Sequence, residues 1–352
     1  MNRHETALQM IHEGIVIPAT PLALDKNRQF DAKRQKFLTG YFLEAGAGGI
    51  ATAVHSTQFE IRRPEYNLFE PVLSSVAEAI DAYEKETGRV VVRVCGACGK
   101  KEQAVAEAKL AKKYGYDAVL LSPGGLADLS EDELIERAEA VAKEMPVIGF
   151  YLQIAVGGRH LSYDFWSRFC EIDNVVAIKC ASFNRYSTID VVRAAALSSR
   201  ADKITLYTGN DDNIVADLLT PYCFTVDGKT YEKRFEGGLL GHWSVWTKAV
   251  VDLFPRLQRA DATPELMTLA AEITDSNAAV FDTANNFAGC IPGIHEILYR
   301  QGLLETTLCL NPNEVLSKGQ AEEIDRVYKM YPHLNDDAFA KDYAARNAWK
   351  LK

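Results

Sequence analysis

Val90-Val-Val-Arg-Val-Cys-Gly96, then residues 101–114, then Gly115, then Ala118-Val-Leu-Leu-Ser122 form the stretch that decides the fold. The outer segments are short runs rich in β-branched and apolar residues, and the middle one has helical spacing. Gly115 stands where a chain leaving a helix often needs a left-handed residue. The rhythm extends both ways along the chain. Strands are expected at residues 15–18, 49–54, 90–96, 118–122, 147–151, 175–179, 204–208 and, more weakly, 239–242. Helices are expected between them at 31–45, 64–86, 101–114, 130–143, 163–171, 189–197 and 213–219. The fourth shows the logic: Ser130 caps, Glu133 completes a capping box, and Leu134, Ala138, Val141 and Ala142 form one apolar face.

Strand and helix alternating in this way predict parallel strands with helical crossovers, and eight such units over about 250 residues fit a closed α/β (β/α)₈ TIM barrel better than a doubly wound sheet. The expected barrel domain is 1–255, with an insertion near 221–235 whose Asp227-Gly228 pair signals a hairpin turn. Residues 256–352 read as a C-terminal helical appendage, with helices near 264–283, 292–302, 313–330 and 336–349.

The composition of the 352 residues, 47% hydrophobic and 25% charged, is that of a globular chain and excludes disorder. A net charge of −9 argues against nucleic-acid binding. No apolar run reaches the roughly 18 residues of a membrane span, and residues 1–13 lack a signal-like core, so a cytoplasmic protein is expected. Seven scattered cysteines read as reduced thiols, and the lone Cys95-x-x-Cys98 lacks the further ligands of a zinc site. No cofactor and no metal is expected, and the partner is a small molecule.

In such a barrel the chemistry collects at the C-terminal ends of the strands. Lys179 closes the buried run Val175-Val-Ala-Ile178, where an ammonium is costly unless its pKa falls or it finds a partner. A desolvated amine makes a Schiff-base nucleophile. The other reading is a lysine snorkelling into solvent or paired with Asp211 or Asp212. Tyr151 ends the preceding strand, where a phenol could exchange protons with a carbinolamine on Lys179, or simply pack with a wet hydroxyl. The loop Val54-His-Ser-Thr-Gln-Phe59 has consecutive hydroxyl residues suited either to a carboxylate or to a plain turn. His55 and Gln153 could face the same pocket.

The order of Thr20-Pro21, Ser56-Thr57, Tyr151, Gly158, Val-Ala-Ile-Lys179 and Gly209-Asn-Asp-Asp212 resembles the dihydrodipicolinate synthase and N-acetylneuraminate lyase family, the pyruvate-using class I aldolases. The separation of 28 residues between Tyr151 and Lys179 matches the family spacing without a gap. The resemblance implies that Lys179 forms an imine with pyruvate or another 2-oxo acid, that Tyr151 shuttles protons, and that Ser56 and Thr57 receive the carboxylate. It further implies a homo-oligomer, usually a tetramer. Three departures stand out. His55, Gln58 and Phe59 replace the family's Gly, Gly and Glu; Pro123-Gly124-Gly125 replaces Pro-Tyr-Tyr; and Val156 stands where the synthases have an arginine for their second substrate. These point to a different second substrate. Two alternatives stay open: a same-family dehydratase or hydrolase of a sugar-derived 2-oxo acid, and a non-catalytic metabolite-binding paralogue.

Overall fold

A computed structural model describes residues 1–351. In chain order the elements are α1 (Arg3–Glu13), β1 (Val16–Pro18), α2 (Ala32–Ala45), β2 (Gly49–Thr52), α3 (Phe69–Thr87), β3 (Val92–Ala97), α4 (Lys101–Lys113) and β4 (Ala118–Leu121). Next come α5 (Glu131–Ala142), β5 (Val147–Leu152), α6 (Tyr163–Cys170), β6 (Val175–Ala181), α7 (Arg185–Leu197), β7 (Thr205–Thr208) and α8 (Ile214–Leu219). A hairpin, β8 (Tyr222–Val226) and β9 (Lys229–Lys233), precedes β10 (Phe235–Leu240) and α9 (Thr247–Leu257). The chain then continues as α10 (Pro264–Val280), α11 (Cys290–Arg300), α12 (Gln320–Met330) and α13 (Asp337–Asn347).

Eight strands form one sheet in the order β1-β10-β7-β6-β5-β4-β3-β2. The two end strands meet as well, through Gly48 N–H to the Val16 carbonyl at 3.0 Å and Thr20 N–H to the Ala51 carbonyl at 2.8 Å. This is a (β/α)₈ barrel followed by C-terminal helices, as the alternation predicts. The chain divides into two compact units. The first comprises Met1–Ile15, Val92–Leu239 and Leu257–Met267, the second Val16–Val91, Leu240–Arg256 and Thr268–Lys352.

In the first unit, β3 to β7 pair in parallel in chain order. Helix α1, to which the sequence pattern assigns no element, packs on them. It is held by a capping box between Asn2 and Glu5, by Arg3 and His4 on the buried Asp117 carboxylate at 2.5 and 3.1 Å, and by Tyr207, whose hydroxyl donates to the Ile11 carbonyl at 2.8 Å. The eighth barrel strand begins at Phe235, upstream of the expected 239–242. Its glycines hid it from a reading based on apolar runs. A Cβ on Gly237 would lie 2.6 Å from the Tyr207 ring and 2.8 Å from Ile15 N, so the position must stay bare. The hairpin turns at Asp227 and Gly228, both with positive φ, as a two-residue turn between right-twisted strands requires. It is anchored by Lys233, whose ammonium donates to the Ala201 and Ile204 carbonyls at 2.5 and 2.6 Å.

In the second unit, a buried polar knot joins α2 to the C-terminal helices. The Tyr41 hydroxyl donates to the Asp336 carboxylate at 2.5 Å and accepts from Thr247 N–H at 3.0 Å. Asp336 also receives Lys248 N–H and the Gln301 amide, each at 2.8 Å. Nearby, Tyr343 donates to the Phe37 carbonyl at 2.7 Å. Replacing Tyr41 by Phe strips one donor from a buried carboxylate and leaves the Thr247 N–H without its acceptor. Tyr41→Phe is expected to lower stability by about 1–3 kcal/mol, measured by urea denaturation.

Candidate active site

Lys179 lies near the C-terminal end of β6 and is only 8% exposed. Burial pulls its pKa down to about 8 from the ordinary 10.5, and the negative charge of Asp211 partly opposes that fall. Its ammonium sits 4.4 Å from the centroid of the Phe150 ring. The methylene stem crosses Gly209, where a Cβ would come within 2.5 Å of Lys179 Cε. Gly209 is therefore the gap through which the lysine reaches its place.

The neighbours of Lys179 follow from strand register. Val147 pairs with Val175, an offset of 28 residues, but the ladder then slips, so that Ile148 pairs with Ala177 and Phe150 with Lys179. An extra residue on β6 has changed the offset to 29. Alternate strand residues take opposite faces, so Phe150 is brought to Lys179 and Tyr151 is turned away from it. Tyr151 stacks on Trp166 of α6, with ring centroids 5.6 Å apart, and its hydroxyl accepts from Leu161 N–H at 3.3 Å. Gly149, on the same face as Tyr151, faces the rings of Phe169 and Trp166. The expected pairing of Tyr151 with Lys179 is thus not formed; the ungapped spacing is real, but a β-bulge consumes one residue of it.

Gln153 follows β5, half-buried, and its carbonyl accepts from Gly158 N–H at 2.9 Å. A Cβ at Gly158 would lie 1.9 Å from the Leu152 carbonyl oxygen, which explains that glycine without any ligand. Arg159 is likewise occupied structurally, with its guanidinium on the carbonyls of Leu126 and Leu129.

His55, Ser56 and Thr57 form a short 3₁₀ turn in the second unit. Ser56 Oγ donates to the Ala19 carbonyl at 2.6 Å and Thr57 Oγ1 to the Thr20 carbonyl at 2.7 Å. Both hydroxyl protons are spent on the backbone after β1. The His55 ring lies 5.8 Å from Phe59. Gln58 keeps a φ of +66°, a conformation suited to glycine, and its side chain accepts from Leu310 N–H at 2.6 Å. The bulky residue thus keeps a glycine-like backbone and adds a strut to the C-terminal segment.

Sequence reasoning names Asp211 as a possible ion-pair partner and as part of the Gly209-Asn-Asp-Asp212 turn, and it gives no site role to Phe150 or Gly209. The latter two depend on register and close approach, which linear spacing does not reveal. Among the described residues no group of three or more His, Cys, Asp or Glu could hold a metal ion.

Residues 16–221 match the model of the dihydrodipicolinate synthetase family, and the chain belongs to that family. N-acetylneuraminate lyase 2 of Escherichia coli is 22% identical over 92% of this chain and 94% of its own length. Among solved structures, dihydrodipicolinate synthase from Bacteroides thetaiotaomicron matches with a TM-score of 0.72 at 15% identity, covering 90% of this chain and 98% of that one. The chloride-inhibited synthase from Acinetobacter baumannii, complexed with pyruvate, matches with a TM-score of 0.70 at 19% identity over the same shares.

Two outcomes are expected at this site. Competitive acylation of Lys179, followed by peptide mass spectrometry across pH, should give an apparent pKa about two units below that of surface lysines. Gly209→Ala should force the lysine stem aside and lower stability by about 1–3 kcal/mol in thermal or urea unfolding.

Proposed function

We propose that the protein is a class I lyase that forms a Schiff base between Lys179 and pyruvate or another 2-oxo acid. The observation that carries this reading is Lys179 itself: a buried amine at the end of a barrel strand with its pKa drawn down to about 8. Only the neutral amine attacks a carbonyl, and a fall in pKa from 10.5 to about 8 raises the neutral fraction near physiological pH by more than about a hundredfold, to roughly a tenth. Family membership and the lyase and synthase relatives support the same chemistry. Once the imine is protonated, C2 draws electrons from the bond beyond C3. Carbon–carbon cleavage, condensation or loss of water then becomes accessible from a single intermediate.

The resemblance carries the carboxylate-receiving role to Ser56 and Thr57. Because their hydroxyl protons already serve backbone carbonyls, that role falls to backbone N–H of the turn. The second substrate differs from that of the synthases, in keeping with Val156 and with Gly124-Gly125. A non-catalytic metabolite-binding barrel is the second reading, favoured by one observation: Tyr151 is packed against Trp166.

Borohydride reduction in the presence of pyruvate separates the two. An adduct mapped to Lys179 by peptide mass spectrometry, and absent in Lys179→Ala, is the expected result. Folded protein that yields no adduct with pyruvate or larger 2-oxo acids would favour the binding barrel.

A further inference from the structure

Imine chemistry needs a group that moves protons at the lysine nitrogen and at the carbon beside the imine. Of the side chains that meet Lys179 within the first unit, Phe150 carries no exchangeable proton. Tyr207, paired with Lys179 across β6 and β7, has its hydroxyl committed to the Ile11 carbonyl, and burial raises its pKa far above the ordinary value. Tyr151 is on the other face of β5. An acidic residue, Asp211, lies on the turn after β7, two positions beyond Gly209.

Its placement is built into the backbone. Gly209 N–H donates to the Cys180 carbonyl at 2.7 Å, which ties the turn after β7 to β6 one residue beyond Lys179. Asn210 then pins the turn. Its side chain accepts from Phe183 N–H at 3.0 Å and donates to the Asp217 carboxylate at 2.9 Å. Asp211 follows on the turn so fixed, two residues beyond the glycine that the Lys179 stem crosses, and its negative charge favours the ammonium form of Lys179. At the next residue, Asp212, burial raises the carboxyl pKa and the Arg185 charge opposes that rise.

We propose that Asp211, on the turn after β7, is the catalytic acid/base for imine chemistry at Lys179, in place of the tyrosine that the family spacing suggests. This rests on the Schiff-base reading. The Asp211 carboxylate takes a proton from the Lys179 ammonium and gives it to the keto oxygen as the freed Nζ bonds to C2 of the 2-oxo acid. The C=O π pair moves to that oxygen, which makes the C2 hydroxyl; Asp211 then takes a second proton from the nitrogen. It returns that proton to the C2 hydroxyl, the C–O bond breaks, and water leaves as the nitrogen lone pair forms the C=N bond. Asp211 then takes a proton from C3. The C3–H pair becomes the C2=C3 bond, and the C=N π pair returns to nitrogen, giving the enamine.

The test uses the full chain with pyruvate and reads two signals: borohydride-trapped adduct on Lys179, and deuterium uptake at C3 of pyruvate from D₂O by proton NMR. Asp211→Asn should form the trappable adduct more slowly, reaching it on long incubation, and lose C3 exchange by about 100-fold. Asp211→Glu should recover part of the exchange, and Tyr151→Phe should leave it within about two-fold of wild type. Competitive acylation supplies an independent reading, since loss of the Asp211 charge should lower the apparent pKa of Lys179 by about one further unit. An adduct with C3 exchange intact in Asp211→Asn, exchange lost in Tyr151→Phe, or a wild type that forms the adduct without exchange overturns the role of Asp211 alone. A wild type that traps no 2-oxo acid overturns the Schiff-base reading and this one with it.

Discussion

The candidate chemistry depends on keeping one amine out of water. An ammonium on a strand packed on both faces is costly, and the protein lowers that cost by three means visible around Lys179. The pKa falls, the Phe150 ring faces the nitrogen, and the Asp211 charge partly restores the cationic form. These effects oppose one another, and their balance decides how much neutral nucleophile is present. Full desolvation with no partner would give a neutral amine but no nearby group to carry its protons, whereas a strong ion pair would keep the lysine charged and unreactive.

Register is the second determinant, and it shows how far the sequence could be read. The alternation of strand and helix is legible because each element buries a face with its own period, so the barrel follows from pattern. The eighth strand begins a few residues upstream of where apolar runs place it, because Gly237 is dictated by the approach of Tyr207 and Ile15, a constraint of three dimensions. Lys179 was legible because a charge at the end of an apolar run is anomalous wherever it occurs. Tyr151 beside it was not, because a single bulged residue on β6 exchanges the faces of two neighbours while leaving the count between them unchanged.

In the second unit a residue larger than glycine holds a backbone conformation that favours glycine. Gln58 stands where the resembling family has glycine, yet it adopts positive φ. Holding a non-glycine residue there costs about 1 kcal/mol or more, offset in part by its hydrogen bond to Leu310 N–H. The substitution links the Ser56-Thr57 turn to a C-terminal segment.

Helix α1 has a temporal consequence. The Ile11 carbonyl meets the Tyr207 hydroxyl across 196 residues of sequence, and Arg3 meets Asp117 across 114. During synthesis the helix is made well before its partner Tyr207 on β7, which follows 196 residues after Ile11. Its low apolar content suits that interval: only Ala7 and Ile11 are buried in the finished fold. A more hydrophobic helix would expose sticky surface throughout that wait, so α1 completes its packing long after it is made.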